Sequence, residues 1–229
     1  MRNLIAQALG RPTVLANDAN AAAFGEYWVG VGASPDIQNL IMITLGTGVG
    51  SGIVLNGQIV QGTCGYAAEI GHMIVQPDGR ECGCGQRGCL ETYSSASRTA
   101  VRACELLAKG KPSSLQEIYK SDPQQVTAKV IFDAAANGDE LATDVIDQTA
   151  YYLALACINL TRILDPQMFV FAGGMALAGD ALISRINSHF EAQNWHAAPN
   201  GVTLNIAKLG NDAGLIGAAA IAWDANRND

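Results

Sequence analysis

Short apolar runs alternate with longer segments of helical periodicity along this chain. The short runs end at glycine, asparagine, aspartate or proline, as buried strands do, whereas the longer segments repeat apolar residues every three or four positions. The pattern predicts strands at residues 13–16, 39–45, 53–55, 58–60, 72–75, 168–171 and 202–206. It predicts helices at residues 19–29, 97–108, 125–137, 139–164, 180–190 and 212–223, with a surface loop at residues 110–122.

This order of elements indicates an α/β fold, because strands that alternate with helices pair within one sheet whose faces the helices cover. The dipeptide Asn56–Gly57 lies between two of the short strand predictions and favours a type I′ turn, which adds an antiparallel hairpin. With 229 residues, of which 49% are hydrophobic, the chain is long enough to bury a substantial core.

Charge and hydropathy narrow the class of protein. A formal net charge of −7 is poorly suited to binding a phosphate backbone, so we expect no nucleic-acid partner. The longest apolar stretch, residues 150–164, is interrupted by Asn159, Thr161 and Arg162, and we expect no membrane span. The first residues do not resemble a secretory signal, which predicts a cytoplasmic protein with reduced cysteines.

Four potential metal ligands, His72, Cys82, Cys84 and Cys89, lie in one glycine-rich segment. Three thiolates and one imidazole form a tetrahedral zinc set, and four protein ligands leave no open position, which indicates a structural ion. Glycines between the cysteines allow the tight bends that turn the sulfurs inward. The alternative is a redox cluster or a set of buried free thiols. The remaining cysteines, which we interpret as small hydrophobic residues, are Cys64, Cys104 and Cys157.

Two glycine-rich segments are candidates for binding a nucleotide. In residues 45–52 the glycines let backbone N–H groups approach a phosphate, and Thr47 adds a hydroxyl. This segment is not a Walker A loop, because no Lys-Ser or Lys-Thr pair follows it, and a plain hairpin turn is the alternative. The pair Gly173–Gly174 follows a predicted buried strand, where it either admits a flat ring or forms a structural turn.

Three carboxylates are candidates for chemistry. Asp18 lies between a predicted strand and a predicted helix, which is where α/β sheets bind ligands, so it can act as a general base. A helix-capping aspartate is the alternative. Glu69 and Glu91 bracket the cysteine segment, and they can bind the hydroxyls of a polyol, orient His72 or face solvent.

Several segments together resemble the ROK family (repressors, open reading frames, kinases). The most specific are EIGH at residues 69–72 and CGCGQRGCLE at residues 82–91. The other matching segments are NDANAAAFGE at 17–26, LGTGVGSGIVLNG at 45–57, FAGG at 171–174 and DAGLIGAAAIA at 212–222. The resemblance therefore extends over nearly the whole chain.

The resemblance implies an actin-like ATPase fold of the ribonuclease-H-like class, with two lobes and a cleft, assembled as a homodimer. It implies transfer of the ATP γ-phosphate to a hydroxyl of a glucose-like hexose or an N-acylhexosamine, with Mg²⁺ present and Asp18 as the general base. The residues implied to bind the sugar are Asn17, Glu69, His72 and Glu91. Those implied to bind ATP are Gly46, Thr47, Gly48, Gly173 and Gly174.

The chain departs from the family pattern in one respect. Family members carry an Asp-x-Gly-x-Thr motif in their first strand, and no such motif occurs here. We therefore expect residues 1–38 to be the end of a truncated N-terminal lobe. We expect residues 39–229 to form the C-terminal lobe, with the zinc loop at 72–91 and the last helix, 212–223, packing toward the first lobe.

Three functions are open. The first is a sugar kinase of which this chain is a fragment with little activity alone. The alternative is the effector-binding domain of a ROK-family transcriptional repressor, and a third is a stand-alone sugar-binding remnant. The intact segments at residues 17–20 and 45–50 favour the kinase, because repressors of the family tend to lose the phosphate loop.

Overall fold

A mixed sheet of five strands organises the computed structural model, which describes residues 1–193 and 201–225. In chain order the strands are β1 (Leu40–Leu45), β2 (Val49–Leu55), β3 (Gln58–Ile59), β4 (Met168–Ala172) and β5 (Thr203–Ile206). Their order across the sheet is β3-β2-β1-β4-β5. Strands β1, β2 and β3 pair antiparallel, and β1, β4 and β5 pair parallel. The hairpin forms as predicted, with positive φ angles of 50° at Asn56 and 74° at Gly57.

Helices cover both faces of the sheet. The α-helices are α1 (Arg2–Leu9), α2 (Asp18–Val29), α3 (Glu91–Ser94), α4 (Ala96–Ala108), α5 (Gln116–Ser121), α6 (Ala128–Ala136), α7 (Glu140–Leu164), α8 (Asp180–Gln193) and α9 (Ala213–Ala225). Within the described ranges no helix has both the length and the apolar character that crossing a membrane requires.

The central strand β1 is buried on both faces, which explains its continuous apolar sequence. Ile41 and Ile43 belong to a core shared with Leu153 of α7, whereas Leu40 and Met42 pack with Ala23 of α2. Because successive side chains of a strand point to opposite faces, these two sets define a helix–sheet–helix arrangement. A separate, smaller core joins α4, α5 and α6 to the first half of α7.

Helices α2 and α9 cross with their backbones in direct contact. A Cβ atom added at Gly217 would lie 1.6 Å from the carbonyl oxygen of Ala21, and one at Gly25 would lie 2.4 Å from that of Ala213. These glycines leave no room for a side chain, so the close approach depends on them. Since Asp18 begins α2, this contact also fixes the position of the residue that we expect from the sequence to act as a base.

Two strand predictions are wrong. Residues 13–16 form no strand and are mostly exposed, because no neighbouring strand in the described residues pairs with them. At residues 72–75 the chain instead ends a short 3-10 helix, Ile70–His72, and then makes a single bridge between Ile74 and Cys89. That segment turns back to bring His72 toward the cysteines, and an extended strand would carry it away.

Other element boundaries differ by several residues. Strand β2 begins at Val49 rather than residue 53, so the glycine loop is only residues 46–48. The predicted loop at 110–122 contains α5. Helix α6 begins at residue 128 rather than 125, because Thr127 caps it by accepting the N–H of Val130. Tertiary context and capping decide these boundaries.

The α2–α9 contact can be tested with a pair of glycine substitutions on α9. Gly217→Ala places a methyl group against the Ala21 carbonyl and should lower the free energy of unfolding by about 1–3 kcal/mol. Gly214→Ala meets nothing within 4 Å and should be neutral or stabilise the helix by up to about 1 kcal/mol. Urea denaturation followed by circular dichroism measures both, and equal effects would contradict the proposed crossing.

Candidate functional site

Four side chains converge on one point, as the sequence predicts. The nearest donor atoms of His72, Cys82, Cys84 and Cys89 all lie within 4.8 Å of one another. The Sγ atoms of Cys84 and Cys89 are 3.6 Å apart, and Cys82 Sγ is 3.7 Å from His72 Nδ1. Tetrahedral zinc with Zn–S bonds of about 2.3 Å separates its sulfurs by about 3.8 Å. The cluster therefore has the donor types and the spacing of a closed zinc site.

The loop that carries these ligands is folded back by tight backbone contacts. At Gly88, where φ is +84°, a Cβ atom would lie 1.9 Å from the carbonyl oxygen of Gln76, so only glycine fits. Bridges between Ile74 and Cys89 and between Glu81 and Arg87 close the loop. The glycines thus allow the compact fold that points the donor atoms inward.

An ion pair holds the segment that carries the four ligands, residues 72–91 (the metal loop), against α4. Arg80 Nη1 donates to Glu105 Oε1 at 2.8 Å, and Nη2 donates to Oε2 at 2.5 Å. This bidentate geometry lowers the pKa of Glu105 below its usual range. Both side chains are more than a third exposed, so solvent weakens the pair and its main effect is on orientation. The backbone N–H of Arg80 also donates to the Tyr93 hydroxyl at 2.8 Å.

The pKa values of Cys84 and Cys89 are shifted in opposite directions. Burial raises the pKa of Cys89 to about 12, and the neighbouring thiols Cys84 and Cys82 add to that rise. The pKa of the exposed Cys84 is lowered, chiefly by the backbone N–H of Gln86. Because a metal ligand must be a thiolate, a cation at this point would supply the positive charge that the buried Cys89 lacks.

A second group of predicted residues lines an open cleft of about 460 Å³. Its walls include Asp18 at the start of α2, Glu91 at the start of α3 and Gly173 at the end of β4. The residues of the glycine loop, Gly46, Thr47 and Gly48, form its floor. A cleft of this volume accommodates a small-molecule ligand. The fold thus joins four separate segments of the sequence at one site.

The glycine loop is held by side chains and backbone around it. The N–H of Ala96, at the start of α4, donates to the Gly46 carbonyl at 2.9 Å, and the Ser97 hydroxyl donates to the Thr47 carbonyl. The N–H of Val49 donates to Glu91 Oε2 at 2.9 Å. Within the described residues the N–H groups of Thr47 and Gly48 bond to no protein acceptor. The loop therefore offers two free donors at the floor of the cleft.

Asn17 is the N-cap of α2, and Asp18 is the first residue of the helix. Asn17 Oδ1 accepts the N–H groups of Ala19 at 2.9 Å and Asn20 at 3.2 Å, which is the geometry of an N-cap. Asp18 is exposed at the first turn, where it faces the cleft and accepts only the Ala19 N–H. Its carboxylate is consequently available for a ligand.

The other predicted site residues lie around the cleft without lining it. Glu69 is exposed and precedes the 3-10 helix that ends at His72. That helix packs on the start of β2, where a Cβ at Gly71 would lie 2.2 Å from the Val49 carbonyl oxygen. Asn17 lines a separate cavity of about 270 Å³. Gly174 lines two cavities beside the cleft.

Two serines that sequence analysis did not single out help to build the site. The Ser51 hydroxyl donates to the Ala68 carbonyl and accepts the Ile70 N–H at 3.1 Å, which ties the Glu69 segment to β2. Ser97, already described, holds the glycine loop. Its place at the start of a helix was predictable from the sequence, but its contact with residue 47 depends on tertiary structure.

A family model described as the ROK family matches residues 1–225. The chain belongs to the ROK family. It is 46% identical to a glucokinase of Halalkalibacterium halodurans over 207 residues, which cover 90% of this chain and 62% of the relative. It is 34% identical to an N-acetylmannosamine kinase of Citrobacter koseri, over 93% of this chain and 66% of the relative. The chain therefore spans less than two thirds of the length of these two relatives.

Solved structures agree with the family assignment. A ROK family glucokinase of Streptomyces griseus in complex with glucose and AMPPNP matches with a TM-score of 0.82 at 34% identity, covering 96% of this chain and 71% of that one. A ROK family transcriptional regulator, a homologue of the E. coli MLC protein, matches with a TM-score of 0.83 at 32% identity, covering 96% and 54%. These matches confirm the α/β class and the actin-like ATPase fold.

The metal cluster predicts the effect of removing one ligand. Cys84→Ala deletes a thiolate from a four-ligand set, so the purified protein should fall from about one bound zinc per chain to almost none. Cys64→Ala is the matched control, because Cys64 is an exposed cysteine outside the cluster and should leave the metal content unchanged. Mass spectrometry of the metal content measures both. Equal zinc in the two variants would contradict the assignment of ligands.

Proposed function

We propose that this chain is the sugar- and metal-binding part of a ROK sugar kinase, which transfers the γ-phosphate of ATP to a hydroxyl of a hexose. The observation that carries the proposal is the 460 Å³ cleft, in which the Asp18 carboxylate, the glycine loop and Glu91 face one another. The names of the relatives, glucokinase and N-acetylmannosamine kinase, support a glucose-like or N-acylated hexosamine substrate.

Asp18 acts as the general base. Its carboxylate is exposed in the cleft, so it can accept the proton of a sugar hydroxyl as that oxygen bonds to the γ-phosphorus and ADP leaves. Mg²⁺ bound with ATP would neutralise phosphate charge during the transfer.

The glycine loop binds the phosphates. The free N–H groups of Thr47 and Gly48 lie in a segment that lines the cleft, and free backbone donors suit an anion. Gly173 also lines the cleft, and it packs so closely on β1 that a Cβ there would lie 2.6 Å from the Leu45 carbonyl oxygen. Gly174 and Phe132 line an adjoining cavity of about 460 Å³, which we assign to the adenosine.

The metal loop holds the sugar half of the site. Zinc fits the cluster of His72 and three cysteines in donor type and spacing, and it serves as a structural ion. His72 Nδ1 faces the Cys82 sulfur, which leaves Nε2 for a sugar hydroxyl. Glu69, Glu91 and Asn17 supply the remaining polar contacts with the sugar.

The 229-residue chain by itself should bind sugar and have little kinase activity. It contains no Asp-x-Gly-x-Thr motif and spans 62% of its glucokinase relative. We assign residues 1–38 to the end of a first lobe and residues 39–229 to the second lobe. A cytoplasmic homodimer that includes a first lobe is the form in which we expect full activity.

A repressor effector domain is the second candidate function. The TM-score of 0.83 with the transcriptional regulator favours it, since the same lobe serves both classes. The free N–H groups of the glycine loop and the exposed Asp18 favour the kinase, because a repressor that only senses a sugar needs neither. Nucleotide binding separates the two: a kinase lobe responds to ATP, and a sensor lobe responds to sugar alone.

The kinase proposal predicts binding without efficient turnover for the isolated chain. Calorimetry should detect glucose, whereas coupled assays should give a rate at least about 100-fold below the usual enzyme range of 1–10³ s⁻¹. Asp18→Asn should retain glucose binding and lower any residual rate by about 10²–10⁴, because it removes the base. Asp36→Asn, which changes an exposed aspartate outside the cleft, is the control and should leave both unchanged.

Two results would contradict parts of this account. Robust phosphorylation of glucose by the 229-residue chain would refute its description as a fragment with little activity. A residual rate that is unchanged in Asp18→Asn would refute the assignment of the base.

A further inference from the structure

Glu91 links the end of the metal loop to the glycine loop, two segments that are far apart in the sequence. It follows the metal ligand Cys89 by two residues and begins α3. Its side chain lines the cleft, where Oε2 accepts the N–H of Val49 at 2.9 Å. A Cβ atom built at Gly48 would lie 2.3 Å from that same oxygen. The carboxylate is thus packed directly against the glycine loop.

The contact with Val49 differs from the other contacts that hold the loop. Ala96 and Ser97 hold the carbonyl groups of Gly46 and Thr47 from the start of α4. Both of those contacts come from the first two residues of α4. Glu91 is the ionisable side chain among these contacts, and it is half-buried at the wall of the cleft.

The carboxylate can serve two partners at once. An ionised glutamate has two oxygens with about four lone-pair sites in total. Oε2 is engaged by Val49, whereas Oε1 has no protein hydrogen bond among the described residues. A sugar hydroxyl that donates to Oε1 would fix the orientation of the whole group. The hydrogen bond from Val49 to Oε2 would then be held more firmly.

We propose that Glu91 is a positioning residue for the glycine loop, here called the phosphate loop. Through its contact with Val49, Glu91 couples occupancy of the sugar subsite to the order of residues 46–49. The inference rests on the proposed function, in which Glu91 also contacts the sugar. Coupling between two sites is reciprocal, so a loop ordered by phosphates favours the carboxylate position that binds sugar. The sugar thereby prepares the phosphate loop before transfer. Glu69 makes no comparable contact, because it is exposed and bonds to the next turn only through its carbonyl.

Two pairs of variants of the full chain test this role. In the first pair, Gly48→Ala displaces the Glu91 carboxylate, whereas a methyl group at Gly46 meets nothing within 4 Å. Neither glycine has a positive φ, so backbone strain does not distinguish them. In the second pair, Glu91→Gln retains an oxygen that accepts the Val49 N–H, whereas Glu91→Ala retains none.

The measurement is amide hydrogen exchange at Val49, read by NMR or in a peptide that spans the loop, with and without saturating glucose. Without ligand, exchange should be faster in Gly48→Ala and Glu91→Ala than in Gly46→Ala and Glu91→Gln. Glucose should slow exchange roughly 5–150-fold in the wild type, which is the range of typical coupling between sites. It should slow exchange in Gly46→Ala and Glu91→Gln as well, and have no effect in Gly48→Ala and Glu91→Ala.

The outcomes separate this inference from the proposed function. Equal exchange rates in the two members of each pair without ligand would overturn the positioning role. Glucose that binds by calorimetry without slowing Val49 exchange in the wild type would overturn the coupling. Absence of glucose binding to the wild type would refute the sugar site and with it the coupling, while the ligand-free rates would still decide whether Glu91 positions the loop.

Discussion

The convergence of His72 and three cysteine sulfurs on one point is the constraint on which the site depends. The donor atoms lie within 4.8 Å of one another and include the buried Cys89, whose pKa is raised by burial. A nearby cation would favour the thiolate that a metal ligand must be. In the proposed function, a zinc ion at this point would stabilise the cluster and fix the loop that ends at Glu91. That loop is also tied to α4 through the ion pair of Arg80 and Glu105. The position of the proposed sugar ligands therefore follows from the position of the metal ligands.

The rest of the cleft is built on a rigid frame. On one side, the backbone contact of Gly25 and Gly217 fixes α2 and places Asp18 at the mouth of the cleft. On the other side, Glu91 meets the backbone N–H of Val49 at the base of the phosphate loop. Phosphoryl transfer depends mainly on position and charge, and the proposed base, anion site and sugar site are all held on one sheet. The proposed kinase function uses each of these elements in one role.

Much of this arrangement was predictable, and the exceptions have physical causes. The buried strands and the long helix α7 follow from periodicity, and the metal ligands follow from residue type and the glycines beside them. The strand predicted at residues 13–16 does not form, because a strand needs a partner that apolar sequence alone does not reveal. The cap at α2 is Asn17 rather than Asp18, a choice that local sequence leaves open between two adjacent capping residues. The contact of Glu91 with Val49 joins residues far apart in the chain, so no local pattern predicts it.

The most direct test of the account is a titration of glucose into the same preparation of this chain, first loaded with zinc and then stripped by a chelator. If the metal holds the sugar half of the site, the loaded protein binds glucose in a saturable way. The stripped protein loses that binding, and added zinc restores it. Circular dichroism of the stripped protein should show that the sheet and helices remain folded. Equal glucose affinity with and without zinc would contradict the central claim, because the sugar site would then form independently of His72 and the three cysteines.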